Sequence, residues 1–251
     1  MAQSSNHGTQ VHAQRVALIT GASRGLGYTV AEFLARQRWT LILTARHEAP
    51  LLEAVKRLKT TGASISAVPG DVTQDRHRRD LVAAVGRIGR LDLLINNASE
   101  LGASPFPALV DYPLDALRRV FEVNVVAPLA LLRTCLPTLK ASRGLVVNIT
   151  SDAARGGYPG WGGYGSSKAA LELVSKTLAN ELRDAGIGVV AVDPGDLRTQ
   201  MHQDAFPGQD ISDRPLPEVT LPFWAWLEGQ DPLRVTGQRF EAQATVWEVP
   251  A

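Results

Sequence analysis

Arg15-Val16-Ala17-Leu18-Ile19-Thr20-Gly21-Ala22-Ser23-Arg24-Gly25-Leu26-Gly27 is the stretch whose reading decides the fold. Arg15 to Thr20 is a short apolar run rich in β-branched residues, the pattern of a strand buried on both faces. Three glycines follow, and from Gly25 to Gln37 the apolar residues Leu26, Val30, Phe33 and Leu34 recur at helical spacing. A strand therefore passes through a glycine turn into a helix. Glycine tolerates unusual φ and leaves room for a bulky anion to approach the backbone. The helix N-terminus offers unpaired N–H groups and the positive end of its dipole. A tight turn without a ligand would use the same residues. The position between the first strand and first helix of an alternating chain is what favours a phosphate site.

The alternation continues outward. Thr40 to Ala45, Ser64 to Val68, Leu91 to Asn96, Leu145 to Thr150 and Ile187 to Asp193 all read as buried strands. Helices are expected from about Glu48 to Thr61, Gln74 to Ile88, Leu114 to Ser142 and Tyr164 to Ala185, with Gly186 as a C-cap. Pro128 and Pro137 are expected to kink or end the third of these. Strands with almost no polar alternation, separated by helices, imply an α/β fold: a single-domain, doubly wound parallel sheet, Rossmann-like, with helices on both faces. Its ligand site belongs at the carboxyl ends of the strands. Residues 1–14 are polar and are expected to form a disordered tail; residues 15–251 form the domain. Residues 200–236 hold many prolines and several aromatics, and read as a surface excursion packed by Phe206, Phe223, Trp224 and Trp226, as a substrate lid, or as both.

Composition narrows the partners. The chain has 251 residues, 45% of them hydrophobic, and a net charge of +1, so nothing demands a nucleic acid or an acidic surface. Arg76-His77-Arg78-Arg79 is flanked by Asp75 and Asp80 and reads as a solvated helix face. The single cysteine, Cys135, excludes an internal disulfide and a zinc-ligand pair, and reads as a buried thiol. No apolar run approaches the length of a membrane span and no signal peptide is visible, so no membrane partner and a cytoplasmic location are expected.

The second strand bears on the cofactor. A dinucleotide site without a 2′-phosphate usually places an acid at the end of this strand, and one with it places arginine nearby. Arg46 stands there, Arg24 lies in the glycine turn, and Glu48 falls two residues late, in the first turn of a helix. Two guanidinium groups suit a phosphate dianion, which points to NADP(H). Further on, Tyr164 and Lys168 are four residues apart at the start of a helix and share one face. A cation beside a phenol lowers the cost of the phenolate, so the pair suits proton exchange with a substrate oxygen. Most Tyr-x-x-x-Lys spacings are ordinary helix surface.

Taken together, these residues resemble the classical short-chain dehydrogenase/reductase family over about residues 15–200. The resemblance rests on Thr20 to Gly27, Asp71-Val72 after the third strand and Asn96-Asn97-Ala98 after the fourth. It rests equally on Asn124 in the long helix, Ser151 thirteen residues before Tyr164, and Pro194-Gly195 with Thr199. It implies that Tyr164 is the general acid or base, that Ser151 hydrogen-bonds the substrate oxygen, and that Lys168 holds the nicotinamide ribose and depresses the tyrosine pKa. Asn124 would position a water linking Lys168 to solvent. Cofactor contacts are implied for Gly21, Ser23, Arg24, Gly25, Leu26 and Gly27 in the turn, for Arg46, and for Asp71 and Val72 at the adenine. Asn97, Ala98, Tyr164, Lys168, Pro194, Gly195 and Thr199 complete the set.

Two positions depart from the family pattern: Ser99 stands where glycine is common and Asp193 where asparagine is frequent. Tyr158 and Trp161 either line the substrate pocket or pack at a subunit boundary. The resemblance also implies a homotetramer or homodimer built on the long helix and the Tyr164 helix, where Leu171, Val174 and Leu178 suit an interface or burial on the sheet. The expected function is hydride transfer between nicotinamide and a small-molecule ketone or alcohol. A 3-oxoacyl thioester reductase, with Arg118, Arg119 and Arg155 as candidate carrier contacts, is the alternative substrate class. A non-catalytic NADP(H)-binding sensor or scaffold is the alternative of another kind.

Overall fold

The computed structural model describes residues 14–249. Apart from Gln14, whose amide donates to the Arg38 carbonyl at 2.6 Å, the expected disordered tail lies outside the described residues. Seven parallel strands form one sheet in the order β3-β2-β1-β4-β5-β6-β7. These are β1 (Val16–Thr20), β2 (Thr40–Thr44), β3 (Ile65–Ala67), β4 (Leu93–Asn96), β5 (Leu145–Ile149), β6 (Gly188–Asp193) and β7 (Arg239–Glu241). The first six match the sequence reading in position, but β3 is not a buried strand: at the sheet edge, Ile65 and Ala67 are half-buried and Ser66 is exposed. The chain starts in mid-sheet at β1, winds outward to β3, then crosses to β4 on the other side of β1. That reversal opens a crevice at the carboxyl ends of β1 and β4.

Side chains alternate along each central strand, and both faces are buried. Ala17 and Ile19 face one cluster with Leu26, Val30 and Leu34 of α1 (Gly25–Arg36) and Leu51 and Leu58 of α2 (Glu48–Leu58). Val16 and Leu18 face the other, with Leu81 and Val85 of α3 (Asp75–Ile88) and Leu131 and Leu139 of the long helix. This two-sided burial is why the strands carry no polar alternation. Cys135 is buried in the second cluster, as expected of a structural thiol.

Four expectations need correction. The Arg76–Arg79 patch is not a solvated face throughout: Arg76 and Arg79 are exposed, but His77 and Arg78 are buried. His77 pairs with Thr44 Oγ1 at 2.8 Å and Arg78 donates to the Val72 carbonyl at 2.8 Å, because this side of α3 turns toward β2. Second, neither proline ends the long helix, which runs as α4 (Leu114–Phe121), a π-helical segment (Glu122–Val126) and α5 (Ala127–Ser142). Pro128 has no N–H for the carbonyl of Asn124, four residues back, and the chain answers with a π-type bond from the Ala127 N–H to Glu122 O. Third, that continuous helix, Leu114–Ser142, is long and apolar enough to cross a membrane by length and composition. In this fold Val120, Leu131, Leu132 and Leu139 are buried. Fourth, the Tyr164 helix, α7 (Gly162–Glu181), starts two residues early and stops before Gly186, which instead takes φ 76° in the following turn. A four-residue helix, α6 (Ala153–Gly156), precedes it.

The excursion after β6 divides in two. Helix α8 (Gln200–Ala205) borders the crevice. Helix α9 (Leu221–Leu227) instead drives Phe223, Trp224 and Leu227 into the first core cluster, and α10 (Pro232–Val235) leads into β7.

At the α1 end of the turn, a Cβ on Gly27 would lie 2.5 Å from the Gly21 carbonyl oxygen and 2.5 Å from Asn97 Nδ2. Backbone cannot yield there as a side chain can. Gly27→Ala is therefore expected to destabilise the protein by about 1–3 kcal/mol. Urea unfolding would measure it, and an unchanged midpoint would contradict the packing argument.

Candidate active site

The crevice is a single cleft of about 610 Å³ running across the strand ends. At one end lie Gly21, Ser23, Arg24, Gly25 and Leu26 of the turn, with Arg46 beyond β2 and Asp71 and Val72 beyond β3. Gly21 and Gly25 take φ of 67° and 57°, a region that side chains disfavour. Gly27 does not line the cleft; its part is the close packing described above. Asn97 braces the turn: its Nδ2 donates to the Thr20 and Gly21 carbonyls at 2.9 and 3.1 Å. Thr20 Oγ1 in turn accepts the N–H groups of Asn97 and Ala98, both at 2.9 Å. The turn and the end of β4 are thus one rigid unit. Arg46 pairs with Glu100 at 3.2 Å, and Glu100 also lines the cleft. Sequence reading passed over Glu100 because the two residues are 54 positions apart. A phosphate-bearing dinucleotide fits this end: it has a helix N-terminus of 12 residues, two guanidinium groups and a backbone cleared of side chains.

At the other end β5, α7 and the loop after β6 bring Ser151, Tyr164, Lys168, Pro194, Gly195 and Thr199 to the same cleft. Lys168 is 2% exposed, donates to the Ile149 carbonyl at 2.8 Å and lies 5.4 Å from the Tyr164 ring centroid. Burial pulls its pKa down to about 7, with nearby Asp193 opposing. Burial pushes the Tyr164 phenol well above its ordinary value, while hydrogen bonds with Ser99 and Ser151 act the other way. Desolvation dominates, and Lys168 is not among the groups that shift the phenol here, so the expected depression of the tyrosine pKa by Lys168 is not produced by these surroundings. Ser151 Oγ donates to Asp152 Oδ1 at 2.9 Å.

Asn124 lies behind the cleft, 1% exposed. Its Oδ1 accepts from Ser99 Oγ at 3.1 Å and the Glu100 N–H at 2.7 Å. Its Nδ2 donates to Glu100 O and Ser167 Oγ, both at 2.9 Å. The amide is saturated and joins the long helix to β4 and α7, and the Ser99 hydroxyl is part of that joint. Asp193 accepts the Gly195 N–H at 2.9 Å and pairs with Arg239 at 2.6 Å. Arg239 of β7 also pairs with Glu172 of α7 at 2.8 Å. The carboxylate at the asparagine-favoured position thus ties the cleft loop to the seventh strand, which sequence reading had missed. Thr199 caps α8 through the His202 N–H at 3.3 Å.

Tyr158 and Trp161 both line the cleft rather than a distant face. Trp161 lies 4.6 Å from Phe106, 5.9 Å from Tyr164 and 5.9 Å from Phe206 between ring centroids. Phe206 is read from sequence as an aromatic of the excursion after β6, whereas Phe106, far away in sequence, gives no local signal. Leu171 is buried, and Val174 and Leu178 are half-buried, with Leu178 packed against the second core cluster.

Comparison with known proteins agrees with this geometry. The family model for short chain dehydrogenase matches residues 15–210. The uncharacterised oxidoreductase YciK of Escherichia coli K12 is 33% identical over 91% of this chain and 92% of its own. A Pseudomonas aeruginosa protein named as the 3-oxoacyl-[acyl-carrier-protein] reductase of rhamnolipid biosynthesis is 34% identical over 75% of each chain. The crystal structure of a short chain dehydrogenase from Shigella flexneri 2a complexed with NADP superposes with a TM-score of 0.85, at 31% identity over 92% of this chain and 97% of that one.

The buried Lys168 sets a pH dependence. Its folded pKa of about 7 lies below its ordinary 10.5, so between these values the unfolded chain binds more protons and stability rises with pH. Lys168→Met is expected to flatten that rise between pH 7 and 10, read from urea midpoints. Equal slopes in the two proteins would contradict it.

Proposed function

The chain belongs to the short-chain dehydrogenase/reductase family of oxidoreductases, and from that premise we propose that it is an NADP(H)-dependent enzyme that interconverts a ketone or aldehyde and an alcohol. The observation that carries this reading is the convergence of Ser151, Tyr164 and Lys168 on one end of a cleft whose other end holds Arg24 and Arg46. The solved relative complexed with NADP supports the same cofactor.

When bound, the nicotinamide supplies or accepts the hydride. Tyr164, kept protonated by burial, gives its proton to the carbonyl oxygen as the carbon is reduced, and takes it back in the reverse direction. Ser151 exchanges its bond to Asp152 for one to the same oxygen, stabilising the charge that develops there. Lys168, whose ammonium donates to the Ile149 carbonyl here, would hold the ribose hydroxyls and steady the phenolate. Asn124 acts as a brace, with its side chain saturated. A water linking Lys168 to solvent would be held by the Asn124 backbone carbonyl, to which Pro128 offers no N–H. Pro194, Gly195 and Thr199 shape the nicotinamide end. Arg46, which pairs with Glu100 here, and Arg24 would hold the 2′-phosphate. Exposed Leu114, Val126 and Leu173 on the long helix and α7 are consistent with a homodimer or homotetramer.

The Pseudomonas relative raises a second reading, reduction of a 3-oxoacyl thioester on a carrier. Of the arginines it would call on, Arg118 and Arg155 do not line the cleft, and Arg119, which does, pairs with Asp71 at the adenine end. A sensor that had lost its chemistry would be expected to lack one of Ser151, Tyr164 and Lys168, and all three are present.

NADPH oxidation against a panel of ketones, aldehydes and a 3-oxoacyl thioester tests this. Tyr164→Phe is expected to lower kcat by about 10²–10⁴-fold. Turnover that survives the substitution would refute the role of the phenol. Separately, Arg46→Asp is expected to weaken NADPH binding by about tenfold or more, the scale of a lost charge-assisted pair, while NADH binding changes little. An unchanged NADPH/NADH affinity ratio would refute the cofactor assignment.

A further inference from the structure

The substrate end of the cleft has a wall and a rim of different chemistry. The wall is aromatic and centred on Trp161, which touches Phe106, Tyr164 and Phe206, while the His202 ring lies 4.9 Å from that of Phe206. Phe106 backs Trp161 from outside the cleft lining, while Leu101, Ala153 and Ala205 line the cleft beside the rings. Such a surface takes a flat apolar group by stacking and edge contacts, each worth more than the area it covers.

The rim is acidic. Asp152, Asp193, Asp196 and Asp204 all line this end. Arg239 neutralises Asp193, and Arg214 and the His202 imidazole lie 3.3 and 3.9 Å from Asp196. No described side chain forms an ion pair with Asp152 or Asp204: Asp152 accepts from Ser151 and the Ala153 N–H, and Asp204 from Gln200. Asp152 sits against the hydroxyl that meets the reacting oxygen. The arginines that line the cleft, Arg24, Arg46 and Arg119, belong to its phosphate and adenine end, and Lys168 turns its ammonium to the Ile149 carbonyl. A carboxylate or phosphate near the reacting carbonyl would therefore face like charge in a partly desolvated site, without a compensating cation.

We propose that the carbonyl substrate carries an aromatic or comparably flat apolar group next to the reacting carbon and bears no negative charge. This rests on the reductase reading above and narrows its substrate. It disfavours oxo acids and sugar phosphates, whose charge lies close to the carbonyl.

The test uses three matched aryl methyl ketones, with 4-tert-butyl, 4-trimethylammonio and 4-carboxylate substituents. Their binding to the NADP⁺-saturated protein is measured by calorimetry, with NADPH oxidation followed in parallel. The carboxylate is expected to bind at least about tenfold more weakly than the other two, the scale of one uncompensated like-charge contact. In the Asp152→Asn/Asp204→Asn double variant the gap should shrink severalfold. Equal binding of the carboxylate, binding of none of the three, or a gap unchanged in the double variant overturns the proposal. Ketones that bind in the expected order but are never reduced leave the pocket chemistry standing and count against the reductase reading alone.

Discussion

Asn97 donates its side-chain N–H groups to the carbonyls of Thr20 and Gly21 at 2.9 and 3.1 Å, and the remaining geometry follows from that contact. It brings the end of β4 so close to the glycine turn that a Cβ on Gly21 would lie 2.8 Å from the same amide. The turn is held rigid, and α1 starts at the cleft, which Gly25 and Leu26 line, with the positive end of its dipole there. An anion site of this kind gains its strength from preorganisation, since no donor has to be gathered when the ligand arrives. The same contact fixes the distance between the phosphate end of the cleft and the chemical end, because β4 is hydrogen-bonded to β5 and β5 carries Ser151 at its exit.

The chemical end is held by a second set of polar joints. Asn96 donates to Asn148 at 2.8 Å and Asn148 to Ser175 at 2.8 Å, linking β4 to β5 and β5 to α7 beneath the reacting groups. Asn124 performs the same service from the π-helical segment. Arg239 binds Asp193 and Glu172, so the last strand clamps the loop carrying Pro194 and Gly195 onto the helix carrying Tyr164 and Lys168. Buried polar groups are tolerated here because nearly every one is paired. Lys168 is the costly member: its ammonium is buried with one carbonyl partner, and its pKa falls to about 7. That expense is localised at the site where a proton must move.

Much of this was legible in the sequence, for identifiable physical reasons. Five strands, β1, β2, β4, β5 and β6, announce themselves because a strand buried on both faces has no polar alternation to confuse the pattern; β3, three residues long with Ser66 exposed, reads as buried in sequence and is not. The glycine turn, Arg46 and the Tyr164–Lys168 pair are local, so spacing alone places them on the right elements. β7 escaped because three residues, two of them charged, carry no period; Arg239 and Glu241 are there for ion pairs. The Arg76–Arg79 patch misled because composition does not reveal that His77 and Arg78 face β2. Pro128 signalled a break, whereas the structure absorbs it as a π-bulge. Glu100 opposite Arg46, and the Phe106–Trp161–Phe206 wall, are tertiary contacts between distant segments. No window of sequence contains them.

The central claim is hydride transfer to a carbonyl carbon held between Ser151, Tyr164 and the nicotinamide end of the cleft. Its most direct test is isotopic: NADPH deuterated at the transferring position, incubated with a ketone shown to bind, and the alcohol analysed by mass and NMR. The account predicts one deuterium on the carbinol carbon and none on the oxygen or elsewhere. An alcohol whose carbinol hydrogen comes from solvent, or a bound ketone recovered unchanged beside intact labelled cofactor, would contradict it.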